Sequence, residues 1–241
     1  MVVIEYDATP NLSRGSLPVM PESSAATPAP RRSDRPTARP SDRFGHVAGR
    51  LCLDFTNTAS RLGTDAPVER LLAYDDLVAW ALESQLIGPT EAKRLREEAA
   101  RRPAEADRVL REARRLRGAI WRIFRALSRN ERALAADLET LNRTLADGMA
   151  SRRLRESERG FCWTWEEQPD GLDWPLWPVA YSAAELTTTD DLERVKVCEG
   201  GTCGWLFVDM SRNRSRRWCS MDDCGNVIKA RRHYARRKQT G

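Results

Sequence analysis

Four cysteines stand close together in sequence in the last quarter of the chain: Cys198 and Cys203, then Cys219 and Cys224, spaced C-x4-C, fifteen residues, C-x4-C. Two close pairs separated by a short span form the donor set of a tetrahedral zinc site. Zinc takes four thiolates at about 2.3 Å, and a closed site of four cysteines is structural rather than catalytic. Two disulfides or four buried thiols are the competing readings. Disulfides need an oxidising compartment, and the first residues show no basic stretch followed by an apolar run, as a secretion signal would. The expectation is therefore one structural Zn2+ held by Cys198, Cys203, Cys219 and Cys224 in a cytoplasmic protein, with metal binding supplying enough folding energy for a separate small module. Cys52 and Cys162 sit alone in apolar or aromatic surroundings and read as small buried hydrophobes.

Charge gathers around the same cysteines. Residues 198–241 hold ten Lys/Arg against four Asp/Glu, in a chain of net charge +5. Arg212, Arg214, Arg216 and Arg217 lie on the span between the pairs. Lys229, Arg231, Arg232, His233 and Arg236 follow the second pair on a predicted helix from about Val227 to Lys238. A metal-fixed loop and helix with this charge are the footprint of a phosphate-binding surface, and DNA is the expected partner. An RNA-binding or protein-interaction module without DNA specificity is the alternative, and a thiolate redox sensor that releases zinc on oxidation is a third reading. Because four thiolates complete the tetrahedron, His233 is expected to face solvent or phosphate. Trp205 and Trp218 are expected to pack around the metal, since so small a module has little other core.

The elements that must carry this module read as follows. Residues 1–43 hold seven of the thirteen prolines and form a Pro/Arg-rich disordered arm. Residues 44–190 form a mostly helical domain, and 191–241 the finger. Leu51–Thr58 begins with alternating apolar residues. Apolar residues from Val68 to Leu86 recur at helical spacing, Thr90 caps another helix, and two long helices follow at 105–128 and 131–149. Residues 152–156 and 160–166 read as short strands across a turn, and 174–186 as a helix with prolines at its start. Strands at 194–198 and 205–209 flank the first cysteine pair. The fold class is mainly α with a small β component, ending in a zinc-ribbon or treble-clef-like unit.

The motifs Cys-Gly-Trp-Leu-Phe (203–207), Ser-Arg-Asn (211–213), Ser-Arg-Arg-Trp-Cys-Ser-Met (215–221), Cys-Gly-Asn (224–226) and Lys-Ala-Arg-Arg-His (229–233) resemble the CGNR zinc finger. Residues 44–190, opening with Leu-Asp-Phe-Thr-Asn-Thr (53–58), are similar to the helical ABATE domain that precedes it. The resemblance implies a stress-induced transcriptional regulator of bacterial type, whose finger binds DNA and whose helical domain senses or binds something such as a small ligand. The chain departs from the family motif at Val227, where the family has Arg, which removes a charge at the start of the last helix and leaves the metal ligands untouched.

No catalytic set is visible. The chain has two histidines, no glycine-rich phosphate loop and a closed metal site, so it is not expected to be an enzyme. Asp54 and Asn57 are weak candidates for lining a ligand pocket, with capping or internal hydrogen bonding as the competing role. No apolar run approaches the ~20 residues of a membrane span.

Overall fold

A 25-residue helix, α4 (Pro103–Leu127), is the post against which the rest is laid. Val109, Ala113, Leu116, Ile120, Ile123 and Phe124 form a stripe along it that is removed from solvent, as the three-and-four spacing of its apolar residues requires. The computed structural model of the chain describes residues 44–157, 160–165 and 171–230. The arm expected over 1–43 lies outside the described residues. Ahead of α4 come α1 (Leu51–Thr56), β1 (Ala59–Ser60), β2 (Val68–Glu69), α2 (Tyr74–Glu83) and α3 (Pro89–Arg101). After it come α5 (Ala135–Ala150), β3 (Arg152–Ser157), β4 (Gly160–Trp165), α6 (Trp177–Thr187), β5 (Val195–Val197) and β6 (Leu206–Val208). Among the described residues the architecture is mainly α with three small antiparallel strand pairs, β1–β2, β3–β4 and β5–β6.

Helix α1 is the short central piece. It packs on α4, α6 and β6 at once, which explains why Cys52, Leu53, Phe55 and Thr56 are all buried in six residues. The alternation read from residues 51–58 is one turn of helix with nearly every face covered. The Cys52 thiol lies in that core as expected of a small hydrophobe, and burial pushes it up to about 12.

The run from Val68 to Leu86 is not one helix. Val68 and Glu69 pair with Ser60 and Ala59, and α2 starts only at Tyr74. The carboxylate of Asp76 explains the delayed start, because it accepts the backbone N–H of Ala73 at 2.8 Å as well as that of Leu72. Leu72 is left 65% exposed. Glu69 turns inward and takes a fork from Arg117 of α4, whose Nη1 also reaches Thr58 Oγ1 at 3.2 Å. A guanidinium this buried is tolerated because it is paired and hydrogen-bonded. Helix α3 is capped from Gly88, with Pro89 in its first position and Glu91 accepting the Gly88 N–H at 3.1 Å. Thr90 lies inside the helix and does not cap it.

Candidate metal centre

Strands β5 and β6 pair in the register Val195↔Val208, Lys196↔Phe207, Val197↔Leu206, and the first knuckle closes the turn between them. Cys198 N donates to Trp205 O at 2.7 Å. Gly201 and Gly204 hold left-handed backbone, φ 73° and 70°, which a side chain would resist. Gly200 is required for a different reason. A Cβ there would stand 2.8 Å from Cys224 Sγ and 3.2 Å from Cys198 Sγ. The second knuckle is a wide helical turn, Met221–Gly225, started by Ser220, whose Oγ accepts the N–H of Asp223 at 3.2 Å. The chain runs on as α-helix from residue 226. Two bonds lash the knuckles together: Cys219 N to Cys198 Sγ at 3.3 Å, and Glu199 N to Arg217 O at 3.0 Å.

The four sulfurs all lie within 4.8 Å of one another. Cys219 Sγ is 3.7 Å from both Cys203 Sγ and Cys224 Sγ. Four donors at 2.3 Å from a tetrahedral centre stand about 3.8 Å apart, so the donor set and its spacing fit one structural zinc ion. The electrostatics agree with that fit. Hydrogen bonds from Cys203 and Cys219 hold Cys198 low, at about 2, while the neighbouring sulfur of Cys198 pushes Cys203 up to about 12 and Cys219 higher still. Four thiolates at this spacing repel one another unless a cation sits among them, and a zinc ion held by these four sulfurs would supply that charge.

Below the knuckles lies a residue the sequence reading passed over. Asp209 is fully buried and its carboxylate collects Lys196 Nζ at 2.7 Å, Ser211 N at 3.0 Å, Ser211 Oγ at 2.6 Å and Arg216 N at 2.9 Å. Burial opposes its ionisation, but these donors hold the carboxyl well below the usual carboxylate range. Asp209 thereby folds the span 209–216 that carries the predicted arginines.

Those arginines do not share one role. Arg216, expected to contact nucleic acid, has its guanidinium committed to the protein's own carbonyl oxygens while still lining the cleft beside Lys196. Its guanidinium faces inward, with Nε on Trp218 O at 3.0 Å, Nη2 on Val47 O at 2.9 Å and on Cys219 O, and its plane over the Phe207 ring at 4.4 Å. It staples the finger to the helical domain. Arg212, Arg214, Arg217 and Lys229 are exposed. Arg217 is paired with Glu199, and Arg214, in left-handed backbone at φ 48°, with Glu193. Arg231, Arg232, His233 and Arg236 lie outside the described residues.

Trp218 packs near the knuckle as expected, against Gly225. Trp205 goes elsewhere: its Nε1 donates to Ala59 O at 2.9 Å and its ring closes over Gly45. It belongs to a seam that also includes Arg61 N to Cys203 O at 2.8 Å, Trp121 Nε1 to Gly204 O at 2.9 Å and Val208 N to Ala48 O at 2.8 Å. Asn57 completes the seam. Its amide donates to Leu206 O at 2.9 Å and accepts Leu206 N at 3.1 Å, as a neighbouring strand would. It is buried by these contacts. The finger expected to fold as a separate module instead shares one core with the helices, and β6 is at most 1% exposed.

Asp54, the other weak candidate, does line a cleft of about 390 Å3 together with His46, Arg50, Glu83 and Gln85. Its Oδ1 accepts Ala48 N at 2.9 Å. Burial pushes its carboxyl up to about 7, against the pull of the Ala48 and Val47 N–H groups and the Arg216 charge.

Comparison with known families accords with this layout. Residues 49–190 match the ABATE family, described as "Putative stress-induced transcription regulator", and residues 194–237 match the CGNR zinc finger. No curated protein matches the chain in sequence. Among the described residues no helix is long and apolar enough to cross a membrane.

Proposed function

The chain belongs to the ABATE family and carries a CGNR zinc finger over residues 194–237, and from this premise we propose that it is a zinc-dependent, DNA-binding transcription regulator of the stress response. It acts in the reducing cytoplasm, by binding and not by catalysis. The observation that carries the reading is the set of exposed cations, Arg212, Arg214, Arg217 and Lys229, carried between and just after the two pairs of one cysteine cluster. Loop and helix held rigidly by one ion present that charge without the entropic cost of ordering it on contact.

The helical domain is the sensing part. The cleft beside Asp54 abuts the segment 46–48, and that segment holds the finger through Ala48 O and Val47 O. A small ligand in the cleft presses on the segment and, through it, on β6 and Arg216. The ligand's binding and the finger's attachment are then linked by one set of hydrogen bonds.

The test is duplex binding by the zinc-loaded full chain, followed by fluorescence anisotropy across a salt titration. The affinity is expected to fall steeply with salt, since phosphate contacts release counterions. Binding that is indifferent to salt, or absent at low salt, overturns the reading. A second reading, an RNA- or protein-binding module, draws on the pairing of Arg214 and Arg217 to Glu193 and Glu199, which withdraws two cations from the surface. It requires that Arg214→Ala with Arg217→Ala leave duplex affinity unchanged.

A further inference from the structure

The end of α4 reaches the finger. Arg129, just past the helix, and the finger's Lys196, Glu199, Arg214, Arg216 and Arg217 line one cleft of about 520 Å3. We propose that this cleft seats a phosphate group of the DNA backbone, so that the helical domain supplies part of the nucleic-acid interface through Arg129. The proposal rests on the DNA-binding reading above and names a contact that this reading does not require.

The lining sets five cations against one carboxylate. Two of the cations are fixed parts of the wall. Lys196 is held by Asp209 and by the carbonyl oxygens of Arg214 and Arg216, and Arg216 is committed to backbone carbonyls. The other three are the adaptable ones. Arg129 is exposed and has no partner among the described residues. Arg214 and Arg217 carry exposed partners, Glu193 and Glu199, with every side chain in both pairs about half exposed or more. Exposed pairs of this kind contribute about 0–1 kcal/mol. A phosphate, which offers an arginine two acceptor oxygens and a full charge, displaces them readily. The carbonyl end of α4 opposes an anion with about half a negative charge, which three adaptable guanidiniums outweigh. The arrangement selects a phosphate that can touch both units at once, as a continuous backbone crossing the seam does. A free phosphorylated small molecule offers the same chemistry, and the experiment separates the two sources.

The experiment uses the full chain loaded with zinc and a labelled random-sequence duplex, read by anisotropy at several salt concentrations. The variants are Arg129→Ala, Arg129→Lys and Glu199→Gln. Inorganic pyrophosphate serves as competitor, and zinc content and thermal unfolding are recorded for each protein. Arg129→Ala is expected to weaken duplex binding about fivefold or more and to lower the salt slope by about one phosphate. Arg129→Lys is expected to restore the slope and part of the affinity. Glu199→Gln is expected to tighten binding by releasing Arg217. If Arg129→Ala binds duplex with the affinity and slope of the parent, the inference is overturned while the DNA reading stands. If the parent binds no duplex at low salt, both fall. If pyrophosphate binding depends on Arg129 and duplex binding does not, the cleft belongs to a small phosphorylated ligand and the proposal fails on its stated source.

Discussion

Asp54 is a carboxylate placed where being charged is costly. It sits at the head of the segment that ties the two units together, accepts the Ala48 N–H, and has its carboxyl raised from an ordinary 3.8 to about 7. A raised acid binds its proton more tightly in the folded chain than in the unfolded one. Its contribution to stability is therefore complete below about pH 4 and is lost as the pH climbs through about 7. Asp54→Asn keeps an oxygen for Ala48 and removes the titration. Between about pH 5 and about pH 8, the melting temperature of the parent is expected to fall relative to that of the variant, and the gap is expected to level off above about pH 7. Parallel melting curves for the two proteins across that range would refute the assignment. Such residues divide cleanly in what a sequence reveals. Four cysteines point to their chemistry by spacing, because two close pairs are the donor set of one shared ion. Asp209 and Asn57 do not. The donors to Asp209 come from a strand and a turn on either side of it, and the Asn57 partner is 149 positions away, so neither residue's partners are legible until the chain is folded.

Among the elements, the first knuckle tolerates the least change. Gly200 lies against two of the four sulfurs, so Gly200→Ala must move either Cys224 or the turn itself by several tenths of an ångström. Metal geometry is stiff on that scale. The substitution is expected to weaken zinc at least tenfold in competition with a chromogenic chelator, with the helical signal of the metal-loaded protein kept; unchanged zinc affinity would show that the knuckle yields. The longer elements show where periodicity is a sound guide and where it is not. Helix α4 was readable nearly end to end, because its apolar stripe is regular; the inward turn of Arg117 was not readable, since its partner Glu69 lies 48 positions away. The stretch 68–73 copies that spacing by accident. Asp76 ties up the N–H groups just ahead of α2, and Glu69 is pulled inward by Arg117, so the chain stays extended there. Helix α5 was also legible, though Leu134 and Leu138 lie exposed while Leu141 is buried; apolar spacing states that a face exists and does not state that anything covers it.

At the scale of the whole molecule, the boundary between helical domain and finger is a boundary in sequence only. Residues of the helical part, among them Val47, Ala48, Asn57, Ala59, Arg61 and Trp121, bond directly to the finger, and Leu206, Phe207 and Val208 belong to the same core as α1 and α4. Removing zinc is therefore expected to be felt throughout. With a strong chelator, the melting temperature followed by helical circular dichroism should fall, and the loaded protein should unfold in a single transition. Two separate transitions, or a helical melt untouched by the chelator, would contradict this. The order of the elements along the chain showed which parts exist; it did not show that they share an interior, because each of those bonds to the finger has a backbone group as at least one partner, and a backbone group leaves no mark in a sequence. Asn57 lends this union a consequence for inheritance. A finger whose strand is recognised by an amide of its own host cannot be passed from protein to protein as a loose cassette; grafted onto a stranger, it would arrive with an unsheltered apolar ribbon, and only a recipient bringing the matching asparagine could adopt it.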